Sequence, residues 1–360
     1  MKRRMLSGLI LAGLLMGALG LVACDGGDGT DAGAATASAT STATDTPTET
    51  ATATGTAAAT ETAASAEFPV TVETAHGEVT IPAQPERIVV LSLDYLEALL
   101  AIGVEPIAAP NNYPFGPWVT DQIDVTNEAI FSFPAPTGGE VPVEAIAALQ
   151  PDLIVGSIYA INADTFPLLS AVAPTVTHDD IAGDSVAGAW EDLTRQLGRA
   201  VGHPDEAEAA IGNVLTLLEE TRTSHTGIEG KTAVIAALSP NGIAATLGDR
   251  HSGIRMLSAL GLGQADFGAS GEEYAGGRLS LSMEQMDLLD RVDLLIMGAF
   301  SSDLRDELHA SPLYQSLQVV QDERILDIDL TGTYAFNTPT ALNIPYLVEL
   351  LQPYLDKIGG

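Results

Sequence analysis

Beyond residue 66 the spacing of apolar residues switches repeatedly between two periods. Val70-Thr-Val-Glu-Thr74 and Val79-Thr-Ile81 alternate with period two around Ala75-His76-Gly77, which predicts a β-hairpin. Short apolar runs over 87–91, 152–155 and 175–177 predict buried strands, and a further strand enters at Ile107. Between them, three- and four-residue spacing predicts helices over 94–102, 143–149 and 164–170. Strand and helix alternate, so this half reads as α/β with a mostly parallel sheet.

The next stretch has a different rhythm. Residues 184–225 are helical by pattern with one break at Gly202-His203-Pro204. One long helix then runs from Asp205 to Ser224, with apolar positions at Ala207, Ala210, Ile211, Val214, Leu215, Leu217 and Leu218. Strand character resumes over 231–238 and returns over 244–247, 293–297 and 324–328, and a last helix is expected over 339–358. The expected organisation is an N-terminal α/β lobe over 67–203, a backbone helix over 204–226 and a C-terminal α/β lobe over 227–360. A single helical link permits only modest rocking between lobes.

The first 66 residues bear on location rather than fold. Lys2, Arg3 and Arg4 precede an apolar run over 6–22 that is short and glycine-rich for a membrane span. It ends at Leu21-Val22-Ala23-Cys24, the pattern of a lipoprotein signal peptide over 1–23 with lipid attached to Cys24. Cys24 is the sole cysteine, so a disulfide within the chain is impossible. Two or more acyl chains, at roughly 0.8 kcal/mol per buried methylene, give stable anchoring on the outer face of the cytoplasmic membrane. Residues 25–66 are almost wholly Ala, Thr, Gly, Ser and Asp and lack side chains able to offset ordering entropy. They read as a disordered tether spanning roughly 35 Å root-mean-square. No later stretch approaches 18 uninterrupted apolar residues.

Formal charge is −33. Such a balance argues against nucleic acid as a partner and against adhesion to an anionic bilayer; a solvated acidic surface accounts for it.

One internal echo supports two lobes of similar plan. Val143-Glu144-Ala-Ile-Ala-Ala-Leu149-Gln-Pro-Asp152-Leu-Ile-Val-Gly156 reads as helix, turn and buried strand. Met283-Glu284-Gln-Met-Asp-Leu-Leu289-Asp-Arg-Val-Asp293-Leu-Leu-Ile-Met-Gly298 repeats it with one extra residue before the aspartate. Each carries a glutamate in its first helical turn, where a negative charge suits the helix dipole.

Together with Thr80-Ile-Pro-Ala-Gln-Pro-Glu-Arg-Ile-Val-Val90, Glu97-Ala-Leu-Leu-Ala-Ile-Gly103-Val and Pro339-Thr-Ala-Leu-Asn-Ile-Pro-Tyr-Leu347, the two echoing segments carry a resemblance. From about Phe68 to Ile358 the chain resembles the substrate-binding proteins of ferric-siderophore ABC importers, a helical-backbone class that also includes haem and cobalamin binders. The resemblance implies two Rossmann-like lobes joined by a single long helix, with a ligand cleft between them. It implies a ferric siderophore as cargo, an ABC permease dimer with its ATPase as partner, action as a monomer, and no catalysis or cofactor. In that family a glutamate on each lobe docks into arginine pockets of the permease; the matching positions are Glu144 and Glu284. A carboxylate paired with arginine fixes orientation and steers encounter.

Ligand contacts are expected on loops at the carboxyl ends of the strands. Loop position and side-chain type select Tyr95, Tyr113, Trp118 and Tyr159 in the first lobe, and Arg250, Tyr274, Arg278 and Tyr334 in the second. Aromatic rings offer stacking faces to a chelate, and arginine can hold an anionic one. Pro136-Thr-Gly-Gly-Glu-Val-Pro142, just before Glu144, holds no arginine, and basic residues are few throughout, so a neutral or weakly charged ligand fits better than ferric citrate.

Two other classes compete. Direct Zn or Mn binding needs clustered histidines and carboxylates, but the six histidines are scattered, and only His178-Asp179-Asp180 resembles a fragment of a site. Cobalamin remains open as cargo. An enzyme finds little support: Gly230-Lys231-Thr232 lacks the earlier glycine of a phosphate loop, whose place is taken by His225, and Gly-x-Ser-x-Gly is missing.

Overall fold

A computed structural model of the chain describes residues 67–136, 140–178, 190–248, 251–267, 272–274 and 277–360. Cys24, the signal segment and the tether lie outside the described residues, as do Asp179 and Asp180. The chain opens with the expected hairpin, β1 (Val70–Thr74) antiparallel to β2 (Gly77–Ile81), with Val70 facing Ile81. Then come β3 (Ile88–Val90), α1 (Leu93–Ala101), β4 (Ala109–Pro110), β5 (Phe131–Phe133), α2 (Val143–Ala148), β6 (Leu153–Val155) and β7 (Thr175–Val176). β3, β6 and β7 pair in parallel in that order, and β4 pairs in parallel with β5. A parallel bridge from Val89 to Ala108 joins the two groups. The strand expected at Ile107 forms two residues later, and β5 was not legible from the pattern.

Two helices follow, α3 (Trp190–Val201) and α4 (Pro204–Ser224). The rod expected over 205–224 is thus present, one residue longer at its start. Pro204 occupies its first turn, where the missing N–H costs nothing, and Asp205 and Glu206 complement the positive end of the dipole. Ala207, Ile211, Val214, Leu218 and Thr221 recur every three or four residues as its buried stripe.

The second half contains β8 (Thr232–Ser239), β9 (Gly242–Thr246), α5 (Ser252–Ala259), β10 (Gly263–Gln264), β11 (Glu272–Tyr274) and β12 (Arg278–Leu281). It continues through β13 (Leu294–Ala299), α6 (Ser302–Ala310), β14 (Ile325–Asp327), α7 (Leu330–Asn337) and α8 (Ile344–Gly359). Its sheet runs β11-β12-β9-β8-β13-β14, with β10 also on β8. β8, β13 and β14 are parallel, whereas β9, β12 and β11 form an antiparallel wing. The second lobe therefore departs from the parallel plan of the first.

Three expectations need correction. The last begins at Ile344, because Thr340 and Asn343 form a turn before it, and the segment around Tyr334 is the helix α7 rather than a loop. The echo segment Met283–Arg291 is a 3₁₀ helix, entered through a hydrogen bond from the Ser282 N–H to Gln285 Oε1 (3.0 Å).

The central strands β3, β6, β8 and β13 are buried on both faces, and alternate residues feed different cores. Val89, Leu91 and Ile154 pack into an outer cluster of the first half, and Val234, Leu295 and Met297 into one of the second. Ile88, Val90, Leu153 and Val155 point the other way and join Ile235, Leu294 and Ile296 in one cluster. That shared core is completed by Leu197 of α3, Ile211 and Leu218 of α4, and Leu347, Leu351 and Leu355 of α8. Apolar packing thus runs unbroken from one half into the other.

Candidate functional site

A cleft opens at the carboxyl ends of β3 and β6. Its first-half wall is built from Ser92, Leu93, Asp94 and Glu97 at the start of α1, from Tyr113 and Trp118, and from Ser157 to Ala160 after β6. The facing wall is α7, through Thr331, Tyr334, Ala335 and Thr338, together with Asn343. These are the loop positions that a two-lobed α/β chain offers to a ligand.

Four of the expected ligand residues meet there: Tyr113, Trp118, Tyr159 and Tyr334. Tyr159 is 60% exposed and Tyr334 40%, so both leave ring surface free for a bound molecule. Trp118 is set deeper. Its ring folds back over Gly116, where any Cβ would collide with the indole. Tyr113 lies edge-on to Phe115 (centroids 6.4 Å, 74°), which in turn packs edge-on to Phe131 at 5.2 Å. Burial, then the negative charge of Asp94, pushes the Tyr113 hydroxyl well above its ordinary value, so it stays protonated and able to donate.

The other candidates divide. Tyr95 is not a cleft residue: its side chain is fully buried and its hydroxyl accepts the His178 N–H at 2.5 Å. The periodicity of α1 turns residue 95 into the core, so its place just after a strand misled. Arg278 lies on β12 and is not among the cleft-lining residues; its guanidinium donates to Asn337 Oδ1 at 3.2 Å, while its Nε is buried with no hydrogen-bond partner among the described residues. Arg250 and the side chain of Tyr274 lie outside the described residues. His251, beside Arg250 in sequence, is buried and its pKa is pushed down to about 4, first by burial and then by the Arg278 charge.

The residue that sequence reasoning missed is Glu97. It is 2% exposed and sits on the wall of the cleft. Oε1 accepts from Trp118 Nε1 at 2.7 Å; Oε2 accepts from Thr340 Oγ1 at 2.7 Å and from Asn343 Nδ2 at 2.9 Å. The Thr340–Asn343 turn is itself tied by Thr340 N to Asn343 Oδ1 (2.9 Å) and Asn343 N to Thr340 Oγ1 (3.2 Å). Beyond it, Tyr346 of α8 packs on Trp118 with centroids 4.9 Å apart. Burial raises the Glu97 pKa to about 7, against the pull of the Trp118 and Thr340 hydrogen bonds; Asp94, one turn earlier, adds to the rise and Asn343 opposes it. A signal did exist: Tyr95 to Leu100 are otherwise apolar, and a carboxylate inside such a run needs partners.

Glu144, in the first turn of α2, and Glu284, in the 3₁₀ segment, both have exposed side chains. Among the described residues no group of three or more His, Cys, Asp or Glu could hold a metal ion, and no helix is long and apolar enough to cross a membrane.

The sequence model of a family described as "Periplasmic binding protein" matches residues 88–330. The probable siderophore-binding lipoprotein YfiY of Bacillus subtilis is 36% identical over 148 residues, which are 40% of this chain and 42% of that one, so the match spans less than half the relative's length. The ferric enterobactin-binding periplasmic protein FepB of Escherichia coli is 25% identical over 78% of this chain and 89% of its own. Among solved structures, a periplasmic solute-binding protein from Mycobacterium smegmatis superposes with a TM-score of 0.67 at 29% identity, covering 81% of this chain and 99% of that one. PiaA of Streptococcus pneumoniae in complex with ferrichrome superposes at 0.62 and 19% identity, over 80% of this chain and 98% of that one.

Proposed function

The chain belongs to the periplasmic binding protein family, and from that membership and its cleft we propose that it captures a ferric siderophore outside the cytoplasmic membrane and delivers it to an ABC permease dimer with its ATPase. The observation that carries the reading is the cleft itself, in which four aromatic rings from two halves of one fold surround a space open to solvent. Relatives named for siderophore, ferric enterobactin and ferric hydroxamate binding agree with it. Tyr159 and Tyr334 stack on the ligand, and Tyr113 and Trp118 close the inner end. The carboxyl groups of Asp94 and Glu97 on the wall disfavour a polyanionic chelate and suit a neutral or cationic one. The protein acts as a monomer, with a lipid on Cys24 and the tether over 25–66 keeping it near the permease. Glu144 and Glu284 present one carboxylate per lobe to arginines of the permease.

Tryptophan emission of the protein, read against a panel of ferric hydroxamates, ferric catecholates, haem and cobalamin, tests this. Quenching at micromolar or lower concentration by a ferric chelate is the expected result. A response to haem or cobalamin alone would replace the siderophore reading.

A further inference from the structure

Glu97 is a buried carboxyl group whose hydrogen bonds reach both halves of the molecule. Its helix belongs to the first half, as does Trp118; Thr340 and Asn343 lead into α8, which packs against α4 and β14. All three partners lend hydrogens to the carboxylate. Trp118 Nε1 and Asn343 Nδ2 can do nothing else, and only the Thr340 hydroxyl can turn round to accept. We propose that Glu97 is the positioning residue of the cleft, whose carboxylate fixes the Trp118 wall against the turn that enters the last helix, and that a proton taken up there loosens this tie. Its partners are Trp118 from the following loop and Thr340 and Asn343 from the turn, with Asp94 acting from its own helix; the hydroxyl groups of Tyr113, Tyr159 after β6 and Tyr334 from α7 line the same cleft, and Tyr346 of α8 packs on Trp118. Of these Asp94 is the other carboxyl group, and its charge acts to raise the Glu97 pKa.

Ionised, the carboxylate holds three charge-assisted hydrogen bonds; protonated, it holds neutral ones, and its new O–H must find Thr340 or face a donor. The pKa near 7 places that change within the range a surface protein meets. The inference takes from the proposed function only that this cleft is the cargo site, and its test needs no cargo. A failure to bind any ferric chelate would therefore count against the proposed function and leave this inference standing.

The sequence contains two tryptophans. In the full-length chain carrying Trp190→Phe, Trp118 is the sole emitter, and its fluorescence is followed from pH 5 to 9. The expected result is a single-proton transition centred near 7 that disappears in Trp190→Phe/Glu97→Gln. Trp190→Phe/Thr340→Val, which removes one donor to the charged form, should move the midpoint upward. A transition that survives Glu97→Gln, or a midpoint below 5.5, overturns the proposal. Should the Glu97 variant not fold, an unmoved midpoint in the Thr340 variant does the same.

Discussion

Asp152 and Asp293 hold the same post in different halves of the molecule. Asp152, just before β6, accepts the backbone N–H groups of Glu86 (2.9 Å) and Arg87 (2.8 Å) at the entrance to β3. Asp293, just before β13, accepts the N–H of Thr232 (2.9 Å) and its hydroxyl (3.1 Å) at the entrance to β8. In each case the next residue pairs in parallel with the next, Leu153 with Ile88 and Leu294 with Ala233. The echo seen in the sequence is therefore a repeated device for setting strand register. Burial acts to raise the Asp293 pKa, but the Thr232 hydrogen bonds and Lys231 outweigh it and hold the group below its ordinary value. Asp293→Ala is expected to cost about 1–2 kcal/mol of urea stability at pH 7. Because the folded pKa is depressed, that contribution is present above the ordinary carboxylate range and fades as pH falls through it. A loss of equal size at pH 3 would sink the assignment.

Glu97 predicts the opposite pH dependence. The unfolded chain releases its proton near 4.5 and the folded chain only near 7. The folded state therefore holds the extra proton between those values; the associated stability is full below 4.5 and is lost as pH rises through 7. The wild-type stability, minus that of Glu97→Gln, should decline by something on the order of 3 kcal/mol between pH 4.5 and 8. Equilibrium urea curves at four pH values measure it, and a flat difference contradicts it.

The tyrosines separate packing from binding. Tyr159→Ala and Tyr334→Ala remove exposed rings, so each should weaken ligand quenching roughly tenfold while stability stays within about 0.5 kcal/mol. Tyr95→Ala should instead cost about 3–5 kcal/mol, as for other large core residues. Tyr95→Phe should bind ligand normally. Weakened binding in Tyr95→Phe would restore residue 95 to the site.

Delivery should be separable from capture. Glu144→Ala combined with Glu284→Ala is expected to leave quenching by the ligand unchanged, yet to abolish uptake of radioactive iron in cells that depend on this protein. Normal uptake in the double variant would remove both residues from the docking role.

How much of this could be read from residues alone depends on how local the cause is. The rod over Pro204–Ser224 was legible because its stripe, its N-terminal proline and its acidic first turn all lie within the segment. α7 was not: Leu-Thr-Gly-Thr-Tyr-Ala-Phe-Asn is a poor helix sequence, and its place depends on contact with β13, where Gly298 leaves room for Thr333. The antiparallel wing of the second sheet escaped for a similar reason, since its strands are short and find their partners only in the fold. Of the six expected ligand residues whose side chains are described, four line the cleft; Tyr113 and Tyr159 follow the rule that segments after strands line it, Tyr334 reaches it from a helix, and Tyr95 failed where helix phase overrode that rule. Glu97 gave no hint of its partners, which lie 21, 243 and 246 residues away.

The unbroken apolar packing through Leu197, Ile211 and Leu351 has a thermal counterpart. Each half has an outer cluster of its own, but both also rest on this shared one, so melting either half exposes side chains that the other is packed on. Calorimetry should record one endotherm whose van't Hoff and calorimetric enthalpies agree. Two resolved peaks would mean that the halves are separate cooperative units after all.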